Sequence, residues 1–463
     1  MGSKNSRLVL FVCVFGLAIL WSCRLPRLCV FDQCPQTDLT KPTLPAQVDD
    51  YDLSTADAPF IPWPLARVCA ETTTWTPGLV FVCDNNSGGI GNIRNFILTC
   101  IRYAIEAGAT GITMPTIQTR SQDKLADLFM GKKLPFSYFF DEEHFRRSFT
   151  DACPKISIYN VLDDIPHFER PSEQSEHKGP ARQPWDMITP NRLGQRGGCD
   201  QRDLNRHVDL FGPRFRDWLD DRQETLSMPP VTAQSPKLIR FNWGVQWTFP
   251  VYRDGPEFVA TFGGLLRFRA DILELGRETA AAMERMAPGS EGNGFIGVHL
   301  RTESDALSGW PSFEEQSRAY LSKAAGLRPR TGPPRYAYLA TGNVTEAAKL
   351  ASLALKEELT VLTKHELLAG PDNEELRRRL DSLSWDQQAL VDFVVLLRAE
   401  YFVGVSPSSF SMNVALKRHL KEDGLYTRPW KIGVQEGDGR SWLVGRYDGY
   451  WDDWLFMYES LWP

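Results

Sequence analysis

The residues best suited to chemistry lie in three polar clusters, each of which directly follows an apolar segment. The first cluster, residues 85–95, is rich in asparagine and glycine and precedes an apolar repeat. Glycines let a backbone approach a ligand closely, and free N–H groups at the start of a helix favour anions or oxygen-rich ligands. The cluster is not a P-loop, because it has no Gly-Lys-Ser/Thr, and it lacks the third glycine of the dinucleotide fingerprint. A turn with an asparagine cap is an equally good interpretation of this cluster taken alone.

The second cluster, residues 297–305, ends an apolar segment with four polar side chains at alternate positions: His299, Arg301, Glu303 and Asp305. The planar guanidinium of Arg301 could donate hydrogen bonds to a phosphate, each worth about 1.5–3 kcal/mol. The alternative is that Arg301 and Asp305 simply pair with each other.

The third cluster, residues 405–412, places Ser406 and Pro407 where a helix N-cap and a first helical residue are expected. Ser408 and Ser409 would then lie in the first turn, with hydroxyl and N–H groups free to bind an anion. Capping alone does not explain three further hydroxyls around a phenylalanine, so the cluster predicts an anion site.

The segments around these clusters predict parallel α/β units. Strand 78–84 is followed by the glycine-rich loop, by a helix whose apolar residues recur every three or four positions over 93–105, and by strand 111–115. Ligands bind beyond the carboxyl ends of the strands in such sheets, which is where all three clusters lie. The other predicted elements are helices 203–210, 258–286, 386–400 and 408–420 and strands 295–300, 336–340, 359–363 and 401–405.

The chain has 463 residues, which is too many for one core, so the α/β series predict two doubly wound, Rossmann-like domains facing a cleft. An irregular region rich in Pro, Gly and Arg interrupts the first domain. The predicted limits are a cytoplasmic tail and signal-anchor at 1–28, a stem at 29–76, an N-terminal domain at 77–255 with an insertion at 166–236, a C-terminal domain at 256–430 and an aromatic tail at 431–463.

Residues 8–22 form the one long apolar run and are flanked by basic residues on both sides. A membrane anchor is favoured over a cleaved signal peptide, because no clean cleavage site precedes Arg24. All nine cysteines lie at or before Cys199, and two glycosylation sequons begin at Asn85 and Asn343. We therefore expect a single-pass protein of the Golgi or endoplasmic reticulum membrane with a lumenal body, or a secreted one if the segment is cleaved.

The charge pattern excludes one class of partner. The net charge is −6 and no basic tract occurs, so nucleic acid is not an expected partner. The only Asp-x-Asp, residues 50–52, lies in the predicted stem, and the seven histidines are scattered, so no metal site is predicted.

The order and spacing of several motifs resemble the GDP-fucose-dependent protein O-fucosyltransferase superfamily. They are His-Leu-Arg-x-x-x-Asp at 299–305, Val-Asp-Phe at 391–393 before Tyr-Phe-Val-Gly at 401–404, Ser-Ser-Phe-Ser at 408–411, and Arg418. The Gly-x-Gly-Asn-x-Arg loop at 89–94 looks like the superfamily's N-terminal motif. The resemblance covers roughly residues 78–425, and related α1,6-fucosyltransferases share parts of it.

The resemblance implies a GT-B fold, with an N-terminal acceptor domain and a C-terminal GDP-fucose domain. It also implies an inverting, metal-independent transfer to a protein Ser/Thr or a glycan hydroxyl, with no cofactor besides the donor. Arg301 would contact the β-phosphate and leaving oxygen, and Asn92 would position the sugar phosphate. The implied donor-binding residues are Gly89, Gly91, Arg94, His299, Asp305, Thr341, Asp392, Ser408, Ser409, Phe410 and Ser411.

Two departures from the family pattern leave alternatives open. Gly342 stands where the family often has Asp, and Gly89 replaces a glutamate that one subfamily uses as base. Asp84 and Glu303 are candidate bases, although solvated turn residues are the more common interpretation. The alternatives are a transferase for another GDP-sugar or a glycan acceptor, or a catalytically silent glycan- or peptide-binding module. The aromatic tail either stacks on an acceptor or docks on the body, and docking is favoured.

Overall fold

The computed structural model describes residues 48–120, 124–128, 130–168, 211–225, 229–287, 294–327, 336–422 and 429–463. Contacts divide the chain into residues 1–45 and residues 46–463, and every described residue belongs to the second unit. The predicted anchor at 1–28 and the predicted helix at 203–210 lie outside the described residues. No helix within the described ranges is long and apolar enough to cross a membrane.

The described residues form an α/β fold in which parallel strands alternate with helices. The strands are β1 (Thr76–Val82), β2 (Ala109–Thr113), β3 (Ile117–Gln118), β4 (Lys133–Leu134), β5 (Ser157–Tyr159), β6 (Lys237–Ile239), β7 (Phe295–His299), β8 (Tyr336–Ala340), β9 (Thr360–Leu362), β10 (Tyr401–Val405) and β11 (Ser441–Val444). The helices are α1 (Trp63–Glu71), α2 (Ile90–Ala107), α3 (Glu142–Ala152), α4 (Phe211–Thr225), α5 (Pro256–Phe262), α6 (Ala270–Met286), α7 (Phe313–Gly326), α8 (Val344–Leu355), α9 (Lys364–Leu367), α10 (Glu374–Asp381), α11 (Trp385–Arg398), α12 (Ser409–Glu422) and α13 (Met457–Ser460).

The first sheet has the strand order β5-β2-β1-β6, and its strands are parallel. In the centre, Phe81 pairs with Ile112 on one side and with Ile239 on the other. The apolar run in β1 is buried, as expected where a parallel sheet is covered on both faces. The glycine-rich loop leaves the carboxyl end of β1 and leads into α2.

The second sheet has the order β11-β10-β7-β8-β9 and is also parallel. All five residues of the central strand β7 are buried. The strand β11 comes from the segment that the sequence assigned to a separate aromatic tail, so the sheet extends past the predicted limit at residue 430. Strands β8 and β10 have the predicted bounds.

The predicted helix 258–286 is wrong as a single element. It is divided into α5, a 3-10 turn at Gly263–Leu265, and α6. Two adjacent glycines weaken the helix here, because glycine loses more conformational entropy than other residues when it becomes helical. A Cβ at Gly263 would also lie 2.1 Å from the carbonyl oxygen of Pro463, so the packing requires glycine.

The predicted stem ends earlier than residue 76. Val48, Leu53 and Ile61 are buried together, and α1 is held by a disulfide between Cys69 and Cys153. Apolar residues in this segment are spaced too irregularly for their burial to be visible from periodicity. A second disulfide, Cys83–Cys100, joins β1 to α2, so both bonds lie in the first half as the cysteine distribution predicted.

The aromatic tail docks on the body, as the sequence favoured. Trp462 is buried, its backbone N–H donates to Asn95 Oδ1 at 3.1 Å, and its indole N–H donates to Thr99 Oγ1 at 3.1 Å. Both acceptors lie on α2, so the end of the chain packs against the helix that follows the glycine-rich loop. Trp454, in contrast, lines the cavity described below.

Candidate active site

A cavity of about 260 Å³ lies beyond the carboxyl ends of β7, β8 and β10 and is also lined by residues of the glycine-rich loop. It therefore brings together all three polar clusters of the sequence. Of the predicted site residues, all but Gly91, Arg94 and Ser411 line it. The strand ends place them there because neighbouring parallel strands end at one edge of the sheet.

Arg301 is the central cation of this cavity. Its Nη1 donates to Glu303 Oε2 at 2.6 Å, and its Nη2 lies 2.7 Å from Asp305 Oδ1, so the pairing that the sequence left open is present. The guanidinium also stacks on Trp310, 5.5 Å from the ring centroid. Burial by itself would lower the pKa of Arg301, but Glu303 and Asp305 raise it, so the side chain is a permanent cation.

Glu303 is not the solvated turn residue that the sequence favoured. Its side chain is 11% exposed, and besides Arg301 it accepts a hydrogen bond from the backbone N–H of Gly342 at 2.7 Å. Burial would raise the pKa of Glu303, but the charge of Arg301 lowers it below its usual value. Asp84, the other candidate base, does not line the cavity and is ion-paired with Lys133 and Arg240.

A second arginine in the cavity, Arg120, comes from the first half of the chain. Its Nη2 donates to Asp305 Oδ2 at 2.5 Å and to the carbonyl of Leu125 at 2.7 Å. The ion pair therefore connects the first half of the chain to the loop after β7. Sequence reasoning missed Arg120, because it stands in an irregular segment with no motif around it.

His299 and Ser411 form one buried hydrogen-bonded unit at the base of the cavity. His299 Nδ1 lies 2.6 Å from Ser411 Oγ, and the same oxygen accepts from the backbone N–H of Val405 at 3.1 Å. Burial lowers the pKa of His299 to about 4, so the imidazole is neutral at physiological pH. Ser411 thus orients His299 rather than lining the cavity itself.

The start of α12 forms one wall of the cavity. Its N-cap is Ser408 rather than the predicted Ser406, because the Ser408 hydroxyl accepts from the backbone N–H of Ser411 and its carbonyl accepts from Met412. Ser408, Ser409 and Phe410 line the cavity, while Ser406 does not. The start of the helix therefore borders the same cavity as Arg301, an arrangement that favours an anion.

Asp392 and Thr341 also line the cavity, and Thr341 Oγ1 donates to Glu303 Oε1 at 3.5 Å. The Asp392 carboxylate accepts from Tyr338 Oη and from Lys364 Nζ, each at 2.7 Å. Thr341 Oγ1 accepts from the backbone N–H of Asn343 at 3.1 Å. Lys364 was missed, and a lysine just after a short strand gives no signal of its own in the sequence.

Arg94 and Gly91 belong to the helix interface behind the cavity. Arg94 Nη1 donates to Asn413 Oδ1 at 2.7 Å, and its Nη2 donates to the carbonyls of Gly263 and Pro463. Burial lowers the pKa of Arg94 to about 10. A Cβ at Gly91 would lie 2.8 Å from the carbonyl group of Ser409, so this glycine permits α2 and α12 to cross closely. The contacts therefore give these two residues a structural role.

Five tryptophans that sequence reasoning did not assign to the site also line the cavity. They come from separate parts of the chain and are Trp243, Trp247, Trp310, Trp385 and Trp454. The described ranges contain no group of three or more His, Cys, Asp or Glu residues placed to hold a metal ion.

The sequence profile of a family described as GDP-fucose protein O-fucosyltransferase matches residues 79–421. A search of curated proteins finds no match. Among solved structures, POFUT1 in complex with GDP-fucose is 12% identical with a TM-score of 0.41, and the match covers 77% of this chain and 97% of that one. A mutant of Arabidopsis thaliana FUT1 in complex with GDP is 11% identical with a TM-score of 0.37, over 76% of this chain and 71% of that one.

Proposed function

Because the chain belongs to the GDP-fucose protein O-fucosyltransferase family, we propose that it transfers fucose from GDP-fucose to a hydroxyl group of a protein or glycan acceptor. The observation that carries the proposal is that Arg301 and the start of α12 line one cavity. A fork of donors and a helix N-terminus in one place suit a diphosphate.

The transfer is inverting and needs no metal in this proposal. When the bond between the sugar and the diphosphate breaks, negative charge builds on the leaving oxygen. The guanidinium of Arg301 and the N–H groups around Ser409 stabilise that charge, which is the contribution a metal ion makes in other transferases. Asn92, which comes from the first half of the chain and lines the same cavity, orients the sugar phosphate, as the resemblance implied.

The carboxylates of Glu303 and Asp305 are better suited to neutralising the charge of Arg301 than to acting as the catalytic base. Glu303 and Asp305 both have lowered pKa values because Arg301 and, for Asp305, Arg120 stabilise their charged forms. A carboxylate with a lowered pKa is a weak base. We propose that the two acids hold Arg301 in place before the donor binds and share it with the phosphate afterwards.

We extend the proposal to the architecture and compartment. Two parallel sheets with a cavity at their strand ends support a GT-B arrangement, in which residues 77–255 bind the acceptor and residues 256–430 bind the donor. The disulfides Cys69–Cys153 and Cys83–Cys100 support a lumenal or secreted body, because such bonds persist in oxidising compartments. Anchoring by residues 1–28 in the Golgi or endoplasmic reticulum membrane is part of the same proposal.

The experiment is to titrate the full chain with GDP and to follow the release of GDP from GDP-fucose and GDP-mannose and of UDP from a UDP-sugar, with a lysate as the source of acceptors and with and without EDTA. We expect GDP binding, release of GDP from GDP-fucose above the other donors, and no effect of EDTA. Ser409→Ala, in the cavity wall, should weaken GDP binding about tenfold, whereas the matched control Ser406→Ala should not.

Three outcomes separate the alternatives. Faster release from another GDP-sugar would mean that the chain is a transferase with a different donor. Binding of GDP-fucose with no release under any condition would indicate the catalytically silent module. Absence of GDP binding would contradict the proposal altogether.

A further inference from the structure

Three of the tryptophans that line the cavity, Trp247, Trp310 and Trp454, are joined into one aromatic wall through Phe456, which does not itself line the cavity. The rings of Trp247 and Phe456 lie 5.6 Å apart, those of Phe456 and Trp454 lie 5.6 Å apart, and those of Trp454 and Trp310 lie 5.8 Å apart. Trp310 in turn stacks against Arg301. The wall therefore reaches the guanidinium that the proposed function assigns to the leaving phosphate.

The wall is assembled from three distant parts of the chain. Trp247 comes from the first half, Trp310 from the loop after β7, and Trp454 and Phe456 from the C-terminal segment. That segment lies outside residues 79–421, so half of these rings are additions to the part of the chain that carries the family match. Together the rings close the side of the cavity that faces the first sheet's elements.

Trp454 has a backbone conformation that costs free energy. Its φ angle is +62°, in the left-handed region that residues other than glycine rarely adopt. Such strain persists where the surrounding structure imposes it, and it is concentrated at ligand sites. The conformation places a half-buried indole at the cavity, next to Trp310, while the neighbouring Tyr458 and Trp462 are buried against the body.

We infer that this wall is the acceptor subsite and that it binds a sugar ring, so that the acceptor hydroxyl belongs to a carbohydrate. The inference rests on the proposed function and names its acceptor class. A pyranose has one face made largely of C–H groups, which matches a flat indole in shape and polarity. An extended peptide would instead need paired backbone donors and acceptors, whereas the residues of this wall that line the cavity are three tryptophans.

The placement separates the acceptor from the donor. The diphosphate lies at Arg301 and the start of α12, and the nucleoside lies towards Thr341 and Asp392. In this proposal the reacting sugar carbon lies near Arg301. Trp454 contacts Trp310, which contacts Arg301, so a ring stacked on the Trp454 indole lies near that carbon, and inversion requires its hydroxyl to attack from the face opposite the phosphate. The bond to the phosphate breaks as the bond to the acceptor oxygen forms, and the hydroxyl proton passes to solvent or to the departing phosphate.

The test uses the full chain with GDP bound and measures saturation-transfer NMR and affinity for oligosaccharides of one to four galactose or N-acetylglucosamine units. A Ser/Thr peptide of similar size is the comparison probe. Trp454→Gly removes the ring and also relieves the left-handed backbone, so the thermal midpoint should change little. The matched control is Trp451→Ala, in the same segment, which is 41% exposed and does not line the cavity.

We expect at least one saccharide to receive saturation and Trp454→Gly to weaken it about tenfold, with GDP affinity unchanged within twofold. Trp451→Ala should bind the saccharide as the native chain does. Binding of the peptide alone, an unchanged saccharide affinity in Trp454→Gly, or no saccharide binding would each overturn the inference. A loss of GDP affinity in Trp454→Gly would assign the wall to the donor and overturn it as well. Failure of the proposed function is separate, because it would appear as absent GDP binding in the native chain.

Discussion

Arg301 and Arg94 are two arginines that the sequence placed in one donor site, yet their surroundings differ. Arg301 lines the cavity with 14% of its side chain exposed, and its partners are two carboxylates that raise its pKa. Arg94 is buried between α2 and α12, its partners are one amide and two backbone carbonyls, and burial lowers its pKa to about 10.

The difference shows what a cation needs in order to bind a ligand. Carboxylate partners hold Arg301 in place and can share it with a phosphate, because charge-assisted hydrogen bonds exchange without leaving a buried donor unpaired. The donors of Arg94 are already committed to an amide oxygen and two backbone carbonyls, of which that of Gly263 also accepts from the backbone N–H of Leu266. The contacts of Arg301 therefore suit ligand binding, and those of Arg94 suit packing between α2 and α12.

Among the substitutions that test this comparison, Arg301→Lys is expected to have the largest effect on activity. Lysine keeps a positive charge between Glu303 and Asp305, so the free energy of unfolding should change little. The planar fork is lost, and we expect kcat/KM for GDP-fucose to fall about 10²–10³-fold. The exposed pair of Arg277 with Asp57 supplies the control, since Arg277→Lys should leave kcat/KM unchanged. Near-native turnover in Arg301→Lys would contradict the assignment of Arg301 to phosphate binding.

The next largest effect is expected for Arg94→Met. The substitution removes the Arg94 donors to Asn413 Oδ1 and to the carbonyl of Pro463, which should lower the free energy of unfolding by about 3 kcal/mol. GDP affinity, measured by titration of the folded protein, should stay within twofold of the native value. Unchanged urea unfolding together with a tenfold loss of GDP affinity would restore Arg94 to the donor site and break the comparison.

A smaller effect of opposite sign is expected for Lys417→Met on the same interface. Burial and, second, the nearby Arg94 lower the pKa of Lys417 from 10.5 to about 7. The unfolded chain binds this proton up to pH 10.5 and the folded chain only up to about pH 7, so the native protein gains stability as pH rises between these values. Methionine should raise the free energy of unfolding at pH 7 by on the order of 2 kcal/mol.

The pH dependence supplies the measurement for Lys417. Urea unfolding at pH 7 and pH 9.5 should show a smaller difference in Lys417→Met than in the native chain. Lys421→Met, at a position that is 64% exposed and pairs with Asp52, is the matched control and should keep the native pH dependence. A destabilised Lys417→Met with native pH dependence would mean that Lys417 contributes a favourable buried contact.

The parts of the fold that local patterns specify were predictable. Strands 336–340 and 401–405 were predicted with the observed bounds, because short apolar runs between polar turns have few other buried conformations. Strand β11 and the helix break at Gly263 were not predictable from local patterns. The strand has no alternation of its own, and the break depends on Pro463, which is 200 positions away in the chain.

The candidate site was predictable to the extent that it consists of strand ends. His299, Arg301, Asp305, Ser408 and Ser409 follow two strands that are neighbours in the sheet, so a topological rule brings them together. Arg120 and Trp310 come from loops, Lys364 begins the short helix α9, and Trp454 of the aromatic wall comes from the C-terminal segment. No local periodicity or spacing encodes where a loop side chain will point.

The sequence by itself determined that this chain has parallel α/β units, polar clusters at their strand ends and an arginine suited to a phosphate, because each of these depends on residues close together in the chain. Only the tertiary structure decided which arginine faces the cavity, that Arg120 pairs with Asp305, and that Trp454 reaches the same cavity as Arg301. These outcomes depend on contacts between residues more than a hundred positions apart, where the energy of packing rather than local propensity selects the partner.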